Sequence, residues 1–157
     1  MKVALITVSD SCFHGTRQDT SGDSLASILK AAGFEIVSRT LLPDDQEGLA
    51  KRFEQICDQG DADLLITTGG TGLGPRDVTP EATTAIADKI VPGLAELMRS
   101  EGLKKTPRAA LSRSLAAVRS HTLILNLPGS QKGAEESLNA VLPLLKHAVE
   151  IIHGAGH

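Results

Sequence analysis

The stretch from Leu64 to Ala82 leaves this chain few ways to fold. Leu64 to Ile66 is a short apolar run that passes into Thr67 and Thr68, and its compactness predicts a buried strand. Gly69, Gly70, Gly72 and Gly74 follow within six residues and free the backbone for positive φ and close approach to a ligand. Thr79 is suited to cap the next helix, Pro80 to its first turn, and Glu81 to the positive end of its dipole. Arg76 and Asp77 stand between the glycines and that helix. Free amides, a helix N-terminus, a cation and a carboxylate are the parts of a phosphate site that also holds a metal.

The rest of the chain repeats this alternation. Val3 to Val8 and Phe34 to Leu42 read as strands, as does Thr122 to Leu127. Leu115 to Val118 is a shorter candidate. Helices are expected over Gly22 to Ala32, capped by Thr20 or Ser21, and over Gln46 to Gln59. Others are expected from Pro80 to Asp88, from Pro92 to about Ser100, and from Ala134 to Ile152, with a short helical piece at Arg108 to Arg113. Pro143 should bend or break the last helix. Such alternation predicts an α/β fold of three α/β/α layers around a mainly parallel sheet. It reads as one domain over 1–152, with 153–157 a frayed tail. Ligands of such sheets bind at the carboxyl ends of strands. Three strands end in Ser/Gly loops: Ser9-Asp10-Ser11, Gly69 to Gly74, and Pro128 to Gly133. They are expected to converge.

Composition removes several classes of function. A net charge of −3, three Phe and no Trp or Tyr give neither the basic groove nor the stacking residues of a nucleic-acid binder. Cys12 and Cys57 have no CxxC spacing, so no zinc site or disulfide framework is expected. The apolar run near Met1 is too short for a signal peptide, and no stretch approaches membrane-spanning length. These features predict a cytoplasmic protein with no nucleic-acid or membrane partner. The standard phosphate motifs fail as well. The glycine stretch lacks the Lys of a P-loop, Lys132 is followed by Gly133, and Gly70 to Pro75 ends in Pro where the dinucleotide fingerprint needs Gly.

Five blocks together are more specific. Thr68 to Ala82, Pro128-Gly-Ser-Gln-Lys-Gly133, Leu42-Pro-Asp-Asp-Gln46, Leu111-Ser-Arg-Ser114 and Val8-Ser-Asp10 resemble the MogA/MoaB family of molybdenum-cofactor biosynthesis, in that family's order. The resemblance covers nearly the whole chain. Arg76-Asp77 and Pro43-Asp44 are similar to the MogA branch, whereas Asp19-Thr-Ser-Gly22 is also common in MoaB. The MogA resemblance implies a MogA-like fold and a molybdopterin adenylyltransferase, a nucleotidyltransferase that moves AMP from Mg-ATP to the terminal phosphate of molybdopterin and releases pyrophosphate. It also implies a homotrimer and hand-over of the product to a molybdenum-insertion protein. Two rivals are a MoaB-like trimer that binds pterin or nucleotide without turnover, and a nucleotide-hydrolysing domain related to CinA.

The resemblance carries Asp44 and Asp77 over as catalytic residues that hold Mg²⁺. By spacing alone each has a plainer reading, Asp77 as a loop carboxylate and Asp44 as a helix cap, with Asp45 the alternative cap. Nucleotide- or pterin-binding roles are implied for Ser9, Asp10, Gly69, Gly70, Thr71, Gly72, Arg76, Thr79 and Glu81. The same holds for Ser112, Arg113, Ser114, Pro128, Gly129, Ser130, Lys132 and Gly133. Lys132 opposes a helix dipole, which an anion bound there would explain; the alternative is a solvated surface lysine. Residues 99–119 carry six bases and one acid, a local +5, read either as a phosphate cradle or as a solvated face or subunit contact.

Overall fold

The structure is a computed structural model that describes residues 1–155. Its centre is a six-stranded sheet built from β1 (Lys2–Val8), β2 (Glu35–Leu42), β3 (Leu64–Thr68), β4 (Lys89–Ile90), β5 (Ala116–Arg119) and β6 (Thr122–Leu127). Their order across the sheet is β2-β1-β3-β6-β5-β4. The first four in that order run parallel, and β5 and β4 close the far edge antiparallel.

Alternation along the strands sorts side chains into two cores. Val3, Leu5, Leu64, Ile66, Leu123 and Leu125 face the first. Helices α2 (Thr20–Ala31), α5 (Pro92–Leu103) and α6 (Gln131–Ile152) cover that face through residues such as Leu25, Met98 and Leu138. Ala4, Ile6, Leu65 and Ile124 face the second core, against Phe53 of α3 (Gln46–Gln59) and Ala82 of α4 (Thr79–Ile86). Period-two strands between helices on both sides make the expected three layers.

Several local expectations are corrected. Ser9-Asp10-Ser11 is not a plain loop: Asp10–Phe13 forms a one-turn helix, α1, whose first turn is capped by Ser9. Helix α2 starts at Thr20, with Asp19 as the cap rather than Thr20 or Ser21, its side chain accepting from Gly22 N. Helix α4 ends at Ile86. The next residues form β4, because Asp88 N and Val91 N bond the carbonyls of Val118 and Ala116 at 2.8 Å each. Two residues are too few to show a period. The Arg108–Arg113 piece is a 3-10 turn over Pro107–Leu111. Helix α6 begins at Gln131 and runs unbroken through Pro143. Pro143 and Asn139, the residue one turn before it, both face solvent, so the carbonyl that Pro143 leaves without a donor can be met by water. Of the expected frayed tail, His153 to Ala155 continue in turn geometry, and residues 156 and 157 lie outside the described residues.

Parallel pairing of β1, β3 and β6 brings their carboxyl ends side by side. Thr7 lies opposite Thr68, and Thr68 opposite Leu127. The chain leaves β1 toward β2 on one side, while β3 lies on the other, so a crevice opens between the ends of β1 and β3. Phe53 is fully buried at the centre of the second core. Phe53→Ala should cost about 3–5 kcal/mol of unfolding free energy, read as a lowered denaturation midpoint at unchanged m-value.

Candidate functional site

The crevice is formed by close backbone approach. Gly69 has φ 104° and Gly70 φ 66°, both in the left-handed region. A Cβ on Gly69 would strike the carbonyl oxygen of Val8, and one on Gly70 would strike the Thr79 hydroxyl and lie 3.2 Å from Asp44 Oδ1. Only glycine meets both demands at these positions. The loop is fastened below: Thr79 Oγ1 donates to Gly69 O at 2.9 Å, Thr79 N to Gly70 O at 3.1 Å, and Thr68 Oγ1 to Pro128 O at 2.6 Å. Thr79 is therefore not the cap of α4. It is the first residue of that helix, wholly buried, and its hydroxyl braces the loop rather than facing a ligand.

A cleft of about 310 Å³ lies over these turns. Ser9, Asp44, Gly69, Gly70, Asp77, Gly129 and Ser130, all candidate site residues from the sequence, line it. Asp44 and Asp10 exchange bonds: Asp10 N donates to Asp44 Oδ2 at 2.9 Å, and Asp44 N to Asp10 Oδ1 at 3.0 Å. Asp45, not Asp44, caps α3 through Gly48 N, which leaves Asp44 for the cleft. Burial raises the Asp44 carboxyl above the ordinary aspartate value. The Asp10 amide opposes the rise, and the charges of Asp10 and Asp77 add to it. Asp77 Oδ2 accepts from Gly74 N at 2.8 Å.

The carboxylates of Asp44 and Asp77 suit a hard divalent cation. A positive ion would relieve the repulsion that helps hold Asp44 high. Among the described residues no three His, Cys, Asp or Glu side chains group as a complete protein metal site. An ion here would share its coordination with ligand oxygens and water, the usual arrangement for Mg²⁺ at phosphates.

A second cleft of about 180 Å³ lies on the other side of the Pro128–Ser130 loop. Ser112, Ser114, Pro128, Ser130 and Gly133 line it, together with Arg99 and Arg108. Arg99 Nη1 donates to Ser114 O at 2.8 Å and Ser112 O at 3.3 Å, and the two serine hydroxyls lie 2.9 Å apart. Ser130 borders both clefts and caps α6 through Gly133 N at 3.2 Å.

Other expected binding residues stand elsewhere. Arg76 grips Asp10 with Nε and Nη2, both at 3.0 Å. Arg113 donates to Thr71 O and Gly72 O in the glycine loop and pairs with Glu81. The Lys132 side chain is 82% exposed, 4.0 Å from Glu136, and lines neither cleft. The +5 run also disperses. Arg119 pairs with Glu54 and Asp58, and Lys104 with Glu101, leaving Arg99 and Arg108 as its members at the second cleft.

Asp19, Ser21 and Arg17, to which the sequence assigns no site role, also line the first cleft. Asp19 is mostly buried and accepts from Thr7 Oγ1 at 2.7 Å, Arg39 Nη2 at 2.9 Å and Gly22 N at 2.9 Å. Ser21 Oγ donates to Gly129 O at 2.8 Å and so ties α2 to the β6 loop. The signal was the cap-like Asp19-Thr-Ser-Gly22 itself, but its partners Thr7, Arg39 and Gly129 are far away in sequence.

A family profile described as a probable molybdopterin binding domain matches residues 4–147. The molybdopterin adenylyltransferase of Helicobacter pylori strain J99 is 38% identical over 159 residues, covering 97% of this chain and 88% of that protein. The enzyme of the same name from Escherichia coli K12 is 40% identical over 144 residues, covering 90% and 73%. The crystal structure of the molybdopterin biosynthesis enzyme MoaB from Thermus thermophilus superposes with a TM-score of 0.92 at 53% identity, covering 98% and 96%.

Two consequences concern the acids. The raised Asp44 makes its ionised form unfavourable for folding, a cost that begins above the ordinary aspartate value and is complete above the folded-state one. Asp44→Asn should therefore stabilise the free protein at neutral pH, with the gain vanishing below the ordinary aspartate value, as urea titrations across pH would read. Asp19 is the opposite case. Burial raises it, but Arg39, the Gly22 amide and Thr7 outweigh burial and hold it low. Its stabilisation is present above the unfolded-state value and lost as pH falls through the lower folded one. Asp19→Ala should cost about 2 kcal/mol at pH 7 and progressively less in acid, as urea titrations across pH would read.

Proposed function

This chain belongs to the molybdenum-cofactor biosynthesis family of probable molybdopterin-binding domains, and on that premise we propose that it is a molybdopterin adenylyltransferase. AMP passes from ATP to the terminal phosphate of molybdopterin, and pyrophosphate leaves. The observation that carries the reading is the meeting of Asp44 and Asp77 in one cleft with Gly69 and Gly70, next to a second cleft across Ser130. Two substrates must be held so that one reacts with the other, and two clefts with a common wall provide for that.

A phosphate oxygen of molybdopterin attacks the α-phosphorus of ATP, a new P–O bond forms, and the bond to the β-phosphate oxygen breaks with its electron pair going to pyrophosphate. The protein's task is positioning and neutralisation rather than covalent attack. The triphosphate takes the cleft of Asp44 and Asp77, over the turn at Gly69 and Gly70. The pterin and its phosphate take the second cleft, where Arg99 and Arg108 bring positive charge. Asp44 and Asp77 would hold Mg²⁺, whose charge would neutralise part of the triphosphate's.

We extend the proposal to a homotrimer formed of the 1–152 unit, supported by Leu73, Leu103 and Leu111, large side chains exposed on neighbouring segments. We place it in the cytoplasm, which fits free Cys12 and Cys57; no described helix is long and apolar enough to cross a membrane. Its product passes to a molybdenum-insertion protein. The 53% identity to the Thermus MoaB favours one second reading, binding of pterin or nucleotide without turnover.

The test mixes the protein with Mg-ATP and molybdopterin and follows adenylylated product and pyrophosphate. Product formation that requires both substrates is expected. Binding of either without product decides for the second reading, and pyrophosphate without molybdopterin for hydrolysis. Asp77→Asn should fold with an unchanged far-UV spectrum and lose at least about 100-fold in turnover; a variant with wild-type rates would remove Asp77 from the reaction.

A further inference from the structure

Arg113 comes from the segment between α5 and β5, yet its hydrogen-bond partners among the described residues all belong to the glycine loop or the start of α4. Its backbone N donates to Thr71 O at 2.9 Å. Its Nε donates to Gly72 O at 2.8 Å, and its Nη2 to Asp77 O at 2.7 Å. Nη1 pairs with Glu81, and Nη2 reaches the other oxygen of the same carboxylate at 3.4 Å. A guanidinium has five N–H donors in a rigid planar fork. Four named contacts leave at most one of them for anything else, so the side chain is not arranged to take a phosphate.

The bonds to carbonyls have a directional consequence. In a trans peptide the C=O and the following N–H point to opposite sides, and no described peptide bond is cis. With the carbonyls of Thr71, Gly72 and Asp77 turned to Arg113, the amides of Gly72, Leu73 and Val78 point away from it. One residue therefore sets three peptide planes in a stretch whose glycines would otherwise leave them free. It does so at both ends of the segment 71–78, and so fixes the backbone that carries Asp77. Glu81, in the first turn of α4, completes the grip. Arg113 in turn holds the Glu81 carboxyl below its ordinary range, as expected of a carboxylate in a charge-assisted pair.

Resting on the adenylyl-transfer reading above, we infer that Arg113 and Glu81 are positioning residues. They clamp the loop 71–78 so that Asp77 and the loop amides are in place before substrate arrives, and they do not bind substrate themselves. The proposal replaces the direct binding role that the sequence suggested for both.

The test uses Arg113→Lys and Glu81→Gln in the full chain. Lysine keeps the charge but cannot span Gly72 O, Asp77 O and Glu81 together. Glutamine keeps an acceptor and loses the charge. Hydrogen exchange of the 70–78 peptide in the ligand-free proteins should speed up at least about tenfold in Arg113→Lys and less in Glu81→Gln, while peptides of β1 and β3 exchange as in the wild type. In the transfer assay kcat should fall at least tenfold, with KM for ATP and for molybdopterin changed less than threefold. Unchanged exchange at 70–78 in both variants overturns the proposal. So does a rise in either KM of more than tenfold at preserved kcat, which would make Arg113 a substrate contact. The exchange readout does not depend on turnover: if the wild type makes no product, the function reading fails while the clamp is still decided. If Arg113→Lys does not fold, Glu81→Gln decides by the same criteria.

Discussion

The site depends on one close contact, Gly69 packed against the carbonyl of Val8. The ends of β1 and β3 can meet so tightly only because no side chain intervenes. The contact sets the floor of the cleft. From it Gly70 turns under Asp44, Thr79 reaches back to Gly69, and α4 starts where its first turn can be tied to the loop. An alanine at position 69 would face both a positive φ and the backbone of Val8, which is paired with β2.

Charge is arranged around this floor in two grades. Near the opening, Asp10 is shared between the Asp44 amide and Arg76 and so stays readily ionised. Asp44 is held in a less favourable state, raised by burial and by its acidic neighbours. A group left unfavourable in the free protein is a place where a bound cation gains most. The basic residues nearby are mostly committed to protein carbonyls and carboxylates. Arg113 is the fullest case, since its partners all belong to the loop it stiffens and the helix that follows. Rigid placement of loop and acids before binding lowers the reorganisation that a transfer between two substrates requires.

The second core is firm where the first cleft is open. Phe53, Leu65, Ile124 and Ala82 pack α3 and α4 onto the sheet below the turns. The site residues thus sit on loops whose ends are anchored in buried strands. Cys57 lies in the same core, where burial pushes its thiol up to about 11, so it acts there as a small apolar side chain.

The sequence by itself determined the layers, the parallel centre of the sheet and the three loops that meet on it. Period-two and period-3.6 patterns are local, and a strand that ends in glycine or proline shows its end. The family resemblance, not local pattern, singled out Asp44 and Asp77, and both line one cleft. Tertiary structure decided what local pattern could not carry. Two-residue β4 exists only through pairing with β5. Thr79, which looked like a cap, is turned inward because Gly69 O lies above it. Asp19 became part of the cleft wall through Thr7 and Arg39, and Arg113 became a clamp through carbonyls some forty residues earlier. A side chain's type is written in the chain, but which of its possible partners it meets is fixed only when distant segments are brought within hydrogen-bonding distance.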